Sequence, residues 1–350
     1  MTLMLDEIRE QPEAVRRTIR AERANLERVA AEIRRRNPAF VVIAARGSSD
    51  NAATYAKYLW GIFNKLPVML AAPSLATLYH SAPVLRNALV LGISQSGEST
   101  DIIEVVRGAR EQGAFTVAVT ANGVSTLAKV ADEVALCHSG EERSVAATKT
   151  YTTQLAIVCL LSALLADNAE LLGALERVPD AMAAVLQGVD HGAERAERYR
   201  YMAACAVIGR GLNYCTAMEI ALKLKETSYV VADPFSTADF MHGPIAIVGS
   251  DFPLLLFAAP GRTYDDTLKL AVDLRARNAE LVIFSSEPGI LDLATVAVEL
   301  PSPVAEGVVG EAVSPLIYAV AGQAFAHGVC ITKGLNPDQP RGLRKVTLTM

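Results

Sequence analysis

This sequence lacks an uninterrupted apolar run of the roughly 20 residues that a bilayer-spanning helix needs. No secretory leader is expected either. The first residues, MTLMLDEIREQPEAVRRTIRAE, carry acidic and basic side chains throughout, where a secretory signal has an apolar core. No membrane partner is expected, and the cytoplasm is the expected location. Cysteine is sparse and unpatterned. The five residues, Cys137, Cys159, Cys205, Cys215 and Cys330, show no CxxC and no Cys/His ligand spacing. No metal is therefore expected, and buried free thiols are. Basic charge is not in excess. A net charge of −5 at pH 7 gives no general field for nucleic acid or anionic lipid. The Arg-rich stretch 16–36 reads as a solvated helix face. An anionic ligand would have to be held by a local site.

What is present fits a folded α/β chain. There are 350 residues, 51% hydrophobic and 20% charged, enough for two domains with large cores. Residues 6–36 read as two helices interrupted near Gln11-Pro12, with Pro12 suited to a helix start. Short, wholly apolar runs follow at 40–45, 68–71, 88–93, 115–119 and 133–136, with helical stretches at 51–63 and 99–112. Apolar runs alternating with amphipathic helices mark a parallel sheet covered on both faces. The pattern then repeats. Ala206–Gly211 resembles Val41–Gly47 at an offset of 211 − 47 = 164, and Arg275–Ser285 resembles Arg110–Thr120 at 285 − 120 = 165. Two segments with nearly one offset point to a duplicated domain. A helical connection over 155–186 joins the halves, and the Pro/Gly-rich end should be irregular.

One turn stands out. Gly92-Ile93 closes a buried strand, Ser94-Gln95-Ser96-Gly97 turns, and Glu98-Ser99 opens a helix. Ligands of open parallel sheets bind at the carboxyl ends of the strands. A helix start there offers unpaired N–H groups and partial positive charge. Ser94, Ser96 and Ser99 add hydroxyls, Gln95 an amide, and Gly97 lets the backbone close on an anion. The same residues would also suit a plain helix cap. A second polar turn, Arg46-Gly47-Ser48-Ser49-Asp50-Asn51, follows another apolar strand and favours a binding cleft. It lacks the lysine and spacing of a nucleotide P-loop.

Several segments together resemble the tandem sugar isomerase (SIS) family. Ile93–Asp101 looks like its phosphate loop, Val145–Gln154 like its VASTKxxTTQ segment, and Leu222–Tyr229 and Phe240–Pro244 like its LKLKExSY and HGP motifs. Asp338–Lys345 resembles the DQPRxLxK tail of the isomerase half of glucosamine-6-phosphate synthase, and Glu7–Pro12 the entry to that half. The resemblance implies two tandem SIS domains, each a parallel sheet flanked by helices, with N-terminal helices over 1–36. The domains would span 37–190 and 191–335, followed by an irregular active-site tail over 336–350. It implies a sugar-phosphate ligand on Ser94, Gln95, Ser96 and Ser99, with Ser48, Ser49 and Val145 lining the site. Glu226 would move a proton between C1 and C2, with Lys223 beside it. His242 would serve ring opening from the second subunit of a homodimer with shared sites. Lys345, on a flexible tail, would form a Schiff base with an open-chain ketose. No cofactor is implied.

The glutamine-hydrolysing domain of the synthase would carry a cysteine directly after the initiator Met, where this chain has Thr2. The expected reaction is therefore isomerising deamination of an amino-sugar phosphate, glucosamine 6-phosphate giving fructose 6-phosphate and ammonia. The alternatives are the isomerase part of an aminotransferase-like enzyme, a fructosamine 6-phosphate deglycase, or a non-catalytic sugar-phosphate sensor. Arg46 and Asp50 depart from the synthase pattern and bear on which sugar and amine are bound.

Overall fold

The structure, a computed structural model, describes residues 2–188, 192–343 and 345. The expected domain junction at 190/191 and the tail residues 344 and 346–350 lie outside the described residues. The chain forms two compact units. One comprises Glu13–Glu142 and Lys149–Glu176, with Lys345. The other comprises Met1–Pro12, Arg143–Thr148 and Arg177–Leu343.

Along the first half the elements are α1 Leu3–Arg9, α2 Gln11–Arg36, β1 Phe40–Ala44, α3 Ser48–Phe63, β2 Val68–Leu70 and α4 Ser74–Thr77. Then come β3 Ala88–Ile93, α5 Thr100–Glu111, β4 Phe115–Thr120, α6 Thr126–Val130 and β5 Glu133–Leu136. Helices α7 Lys149–Leu165, α8 Ala169–Gln187 and α9 Gly192–Glu197 lead to the second half. It runs β6 Ala204–Gly209, α10 Tyr214–Ser228, β7 Val231–Phe235, α11 Thr237–Met241, β8 Pro253–Ala258 and α12 Tyr264–Ala276. It ends with β9 Glu280–Ser285, α13 Pro288–Leu291, β10 Val296–Glu299 and α14 Gly307–Thr332.

Each unit is built on a five-stranded, all-parallel sheet. The order is β2-β1-β3-β4-β5 in one and, read in the matching direction, β7-β6-β8-β9-β10 in the other. The duplication expected from the sequence offset is therefore a duplicated topology. Strand side chains alternate between faces. In the first sheet Val42, Ala44, Val90 and Ala118 pack against Ile102, Ile103 and Val106 of α5, and α3 and α7 cover the other face. In the second, Ile208, Leu254, Leu256 and Ile283 pack against Leu270 and Leu274 of α12, with α10 and α14 opposite. Burial on both faces is why these strands read as continuous apolar runs.

Helix α14 qualifies an expectation. It is long and apolar enough to cross a membrane by length and composition, although Glu311 and His327 interrupt its apolar run. However, 94% of its most apolar window is buried inside the protein, so packing against α10 accounts for its composition. Residues 336–343 are irregular, as expected, but they are tied down through residue 341. The Asp338 carboxylate accepts the N–H groups of Leu3 and Met4 at 2.8 and 2.9 Å, at the start of α1. The Arg341 guanidinium stacks 3.8 Å from the Tyr229 ring centroid.

Candidate active site

In a sheet of order 2-1-3-4-5 the chain reverses its direction of winding between strands 1 and 3, which opens a crevice at their carboxyl ends. β1 and β3 are those strands, and the two polar turns singled out in the sequence leave them there: Arg46–Asp50 into α3 and Ser94–Ser99 into α5. Ser48, Ser49, Ser94, Gln95, Ser96 and Ser99 therefore share one sheet edge.

The Ser94–Ser99 turn is held from its far side. Gly97 has φ +68°, and a Cβ there would lie 2.2 Å from Ser125 Oγ. The Gly97 carbonyl accepts Leu127 N–H at 3.0 Å, and the Gln95 carbonyl accepts Ala121 N–H at 3.1 Å. Glu98 points away from the crevice. Its carboxylate accepts the Thr126 N–H at 3.0 Å and the Thr126 hydroxyl at 2.7 Å, which holds its pKa below the ordinary value. Ser99 is the N-cap of α5, yet its hydroxyl makes no capping hydrogen bond. It lies 3.4 Å from Ser94 Oγ, which accepts Gly97 N–H at 3.2 Å. The plain capping reading thus fails for Ser99, the residue that should perform it.

The neighbouring turn is braced by two residues whose roles the sequence did not reveal. Arg46 Nε donates to Asp101 Oδ2 at 2.8 Å, across the crevice between the β1 and β3 turns. Asp101 is 2% exposed. Ser49 accepts a hydrogen bond from Gln154 Nε2 at 3.0 Å. Asp50 is desolvated, which raises its pKa above the ordinary 3.8 against the pull of Arg46. In the same unit Lys345 Nζ donates to Glu142 Oε2 at 2.9 Å, and Glu142 also accepts the Thr150 N–H at 3.1 Å at the start of α7. The local sequence does not show what Asp101, Gln154 and Glu142 bind, because their partners lie 55, 105 and 203 residues away.

The remaining expected residues belong to the other unit. Lys223 and Glu226 project from one face of α10, with Lys223 Nζ 2.6 Å from Glu226 Oε2 and 3.5 Å from Glu219 Oε1. This is not a surface pair. The side chains of Lys223 and Glu219 are 0% exposed, and only Glu226, at 23%, meets solvent. His242 is exposed at the C-cap of α11, beside Gly243. Val145 is half-buried in a loop whose preceding residue, Ser144, is bound by the Glu7 carboxylate through its N–H and hydroxyl.

A family model for the SIS domain matches residues 33–164 and 204–319. The chain belongs to the SIS domain family. It is 33% identical over 349 residues to glutamine–fructose-6-phosphate aminotransferase [isomerizing] of Pyrococcus horikoshii, covering 98% of this chain and 57% of that protein. The SIS chain thus spans little more than half the length of the relatives it matches. Among solved structures, the C-terminal domain of glucosamine-fructose-6-phosphate aminotransferase from Francisella tularensis superposes with a TM-score of 0.88 at 28% identity. That match covers 97% of this chain and 98% of the other. A protein from Silicibacter pomeroyi DSS-3 assigned as a phosphosugar isomerase gives 0.86 at 35% identity, covering 97% and 100%.

Proposed function

We propose that this SIS protein interconverts ketose and 2-amino-aldose 6-phosphates, with fructose 6-phosphate and ammonia on one side and glucosamine 6-phosphate and water on the other. The observation that carries this reading is the Ser94–Ser99 turn at the switch point, with the Ser99 hydroxyl spent on no cap. The similarity to aminotransferases named for fructose 6-phosphate supports the sugar. It supports the aminating direction at least as well as deamination, which is the same exchange run backwards.

The chemistry needs an open chain and a base. The ketose carbonyl condenses with ammonia to an imine and loses water. A carboxylate then takes the C1 proton and returns one at C2, giving the amino aldose. Glu226 is the proposed acid/base, because it is the solvent-reaching member of the α10 cluster, with Lys223 fixing Oε2 at 2.6 Å. Lys345 is the proposed amine for the open-chain ketose. His242 serves ring opening from the partner copy in a homodimer, a role its exposure supports.

The purified protein should make glucosamine 6-phosphate from fructose 6-phosphate and ammonium, and release ammonia in the reverse assay. Glu226→Gln should lower kcat by roughly 10²–10⁴-fold while fructose 6-phosphate still binds. Failure of the parent to turn over in either direction at high enzyme concentration would sink the proposal. Shared sites predict that Glu226→Gln and His242→Ala subunits, each inactive alone, regain activity when mixed. A mixture as inactive as its parts would argue that each site uses one chain only.

A further inference from the structure

The second unit has a switch point of its own, between β6 and β8. Its turns correspond to those of the first at a constant offset. The glycine after the first strand gives 211 − 47 = 164, the turn glycine 261 − 97 = 164, and the helix N-cap 263 − 99 = 164. Gly97 and Gly261 both take positive φ, +68° and +137°. Ser99 and Thr263 head the helices α5 and α12. The second switch point therefore repeats the positive-φ glycine and the hydroxyl-bearing N-cap, although Thr263 is in the αR region where Ser99 is extended.

Its ligand groups are gone. At the same offset Ser94, Gln95 and Ser96 become Ala258, Ala259 and Pro260. A carboxylate stands there instead. Glu311, in the second turn of α14, is 3% exposed. Its Oε2 accepts the Arg262 N–H at 2.9 Å, and its Oε1 accepts the Thr263 hydroxyl at 2.7 Å. A Cβ on Gly261 would fall 2.7 Å from Oε2, and one on Gly211 3.6 Å from Oε1, so the carboxylate lies against both turns. A turn N–H, an N-cap hydroxyl and the positive end of a helix are the groups a phosphate would use. The two halves keep offsets between 296 − 133 = 163 and 285 − 120 = 165. These carry Glu311 back to Ala146, Ala147 or Thr148, none of them acidic.

We infer that Glu311 is a built-in anion occupying the second switch point, so that the chain holds one phosphorylated ligand and not two. The count of one rests on the proposed role of the first cradle; the occupancy by Glu311 does not. Glu311→Ala strands a buried N–H and hydroxyl, and its Tm should fall by about 5 °C or more. Acetate should then raise the Tm of Glu311→Ala well beyond its effect on the parent, with chloride at equal ionic strength as the control. Thr263→Val in that background should blunt the rescue. An equal acetate response in parent and variant overturns the inference. If Glu311→Ala does not fold, parent crystals soaked in inorganic phosphate decide. Phosphate at Gly261 with Glu311 displaced overturns it, and a Gly261 turn still filled by Glu311 supports it. Calorimetric titration with fructose 6-phosphate should give one site per chain, and two sites would overturn the inference. No binding at all would count against the proposed function, while the acetate result would stand on its own.

Discussion

At the scale of single residues, Gly97 decides whether the cradle can exist. Its φ of +68° is one that a side chain disfavours by about 1–2 kcal/mol, and a Cβ would collide with Ser125 at 2.2 Å. Ser125 cannot easily yield, because its hydroxyl caps α6 by accepting the Ala128 N–H. Gly97→Ala must therefore move the turn, and with it the Ser94 and Ser99 hydroxyls. The expected result is a rise of roughly tenfold or more in the dissociation constant for fructose 6-phosphate, the equivalent of about 1.4 kcal/mol, with the fold retained by circular dichroism. Unchanged affinity would place the phosphate elsewhere. Glu98 serves the same turn from the other side, since its bonds to Thr126 tie it to the N-terminus of α6.

At the scale of elements, α10 carries the cost of buried charge. It buries Lys223 and Glu219 completely and leaves Glu226 partly open. Removing one partner of a buried charge pair leaves the other uncompensated, so Lys223→Met should destabilise the protein by about 3–5 kcal/mol. Urea unfolding measures this, and Glu219→Leu in the Lys223→Met background should recover much of the loss. A Lys223→Met variant as stable as the parent would show that Glu219 needs no counter-charge. This arrangement was only half legible. The spacing from 223 to 226 puts both groups on one helix face, but burial depends on packing that a helix pattern does not encode. The strands of the first half were legible to within a residue or two, because two-sided burial writes them as unbroken apolar runs. Helix α3 starts at Ser48, three residues earlier than its apolar pattern suggests, because Gly47 takes the N-cap. The serine turn and the duplication were legible because both are local strings. Asp101, Glu142 and Glu311 were not, because each acts on residues brought near only by the fold.

For the molecule as a whole, thiols report on both cores at once. All five cysteines are buried thiols outside any disulfide. Desolvation raises Cys137 and Cys159 in one unit, and Cys205 and Cys330 in the other, from the ordinary 9.0 to about 12. A folded pKa above the unfolded one means that the folded state resists deprotonation. The associated stability is complete below pH 9 and is lost as pH rises towards 12. The native protein should therefore be silent to a thiol reagent at pH 8 and release five equivalents in urea. Its urea midpoint should fall steeply between pH 9 and 11. Lysine and tyrosine also titrate there, so the slope and not the midpoint isolates the thiols. Cys159→Ala and Cys205→Ala each remove one buried acid from one unit and should flatten that slope, whatever packing loss they cause at neutral pH. A slope identical to that of the parent would mean that the alkaline transition is set by other groups, and that the two cores open before their thiols ionise.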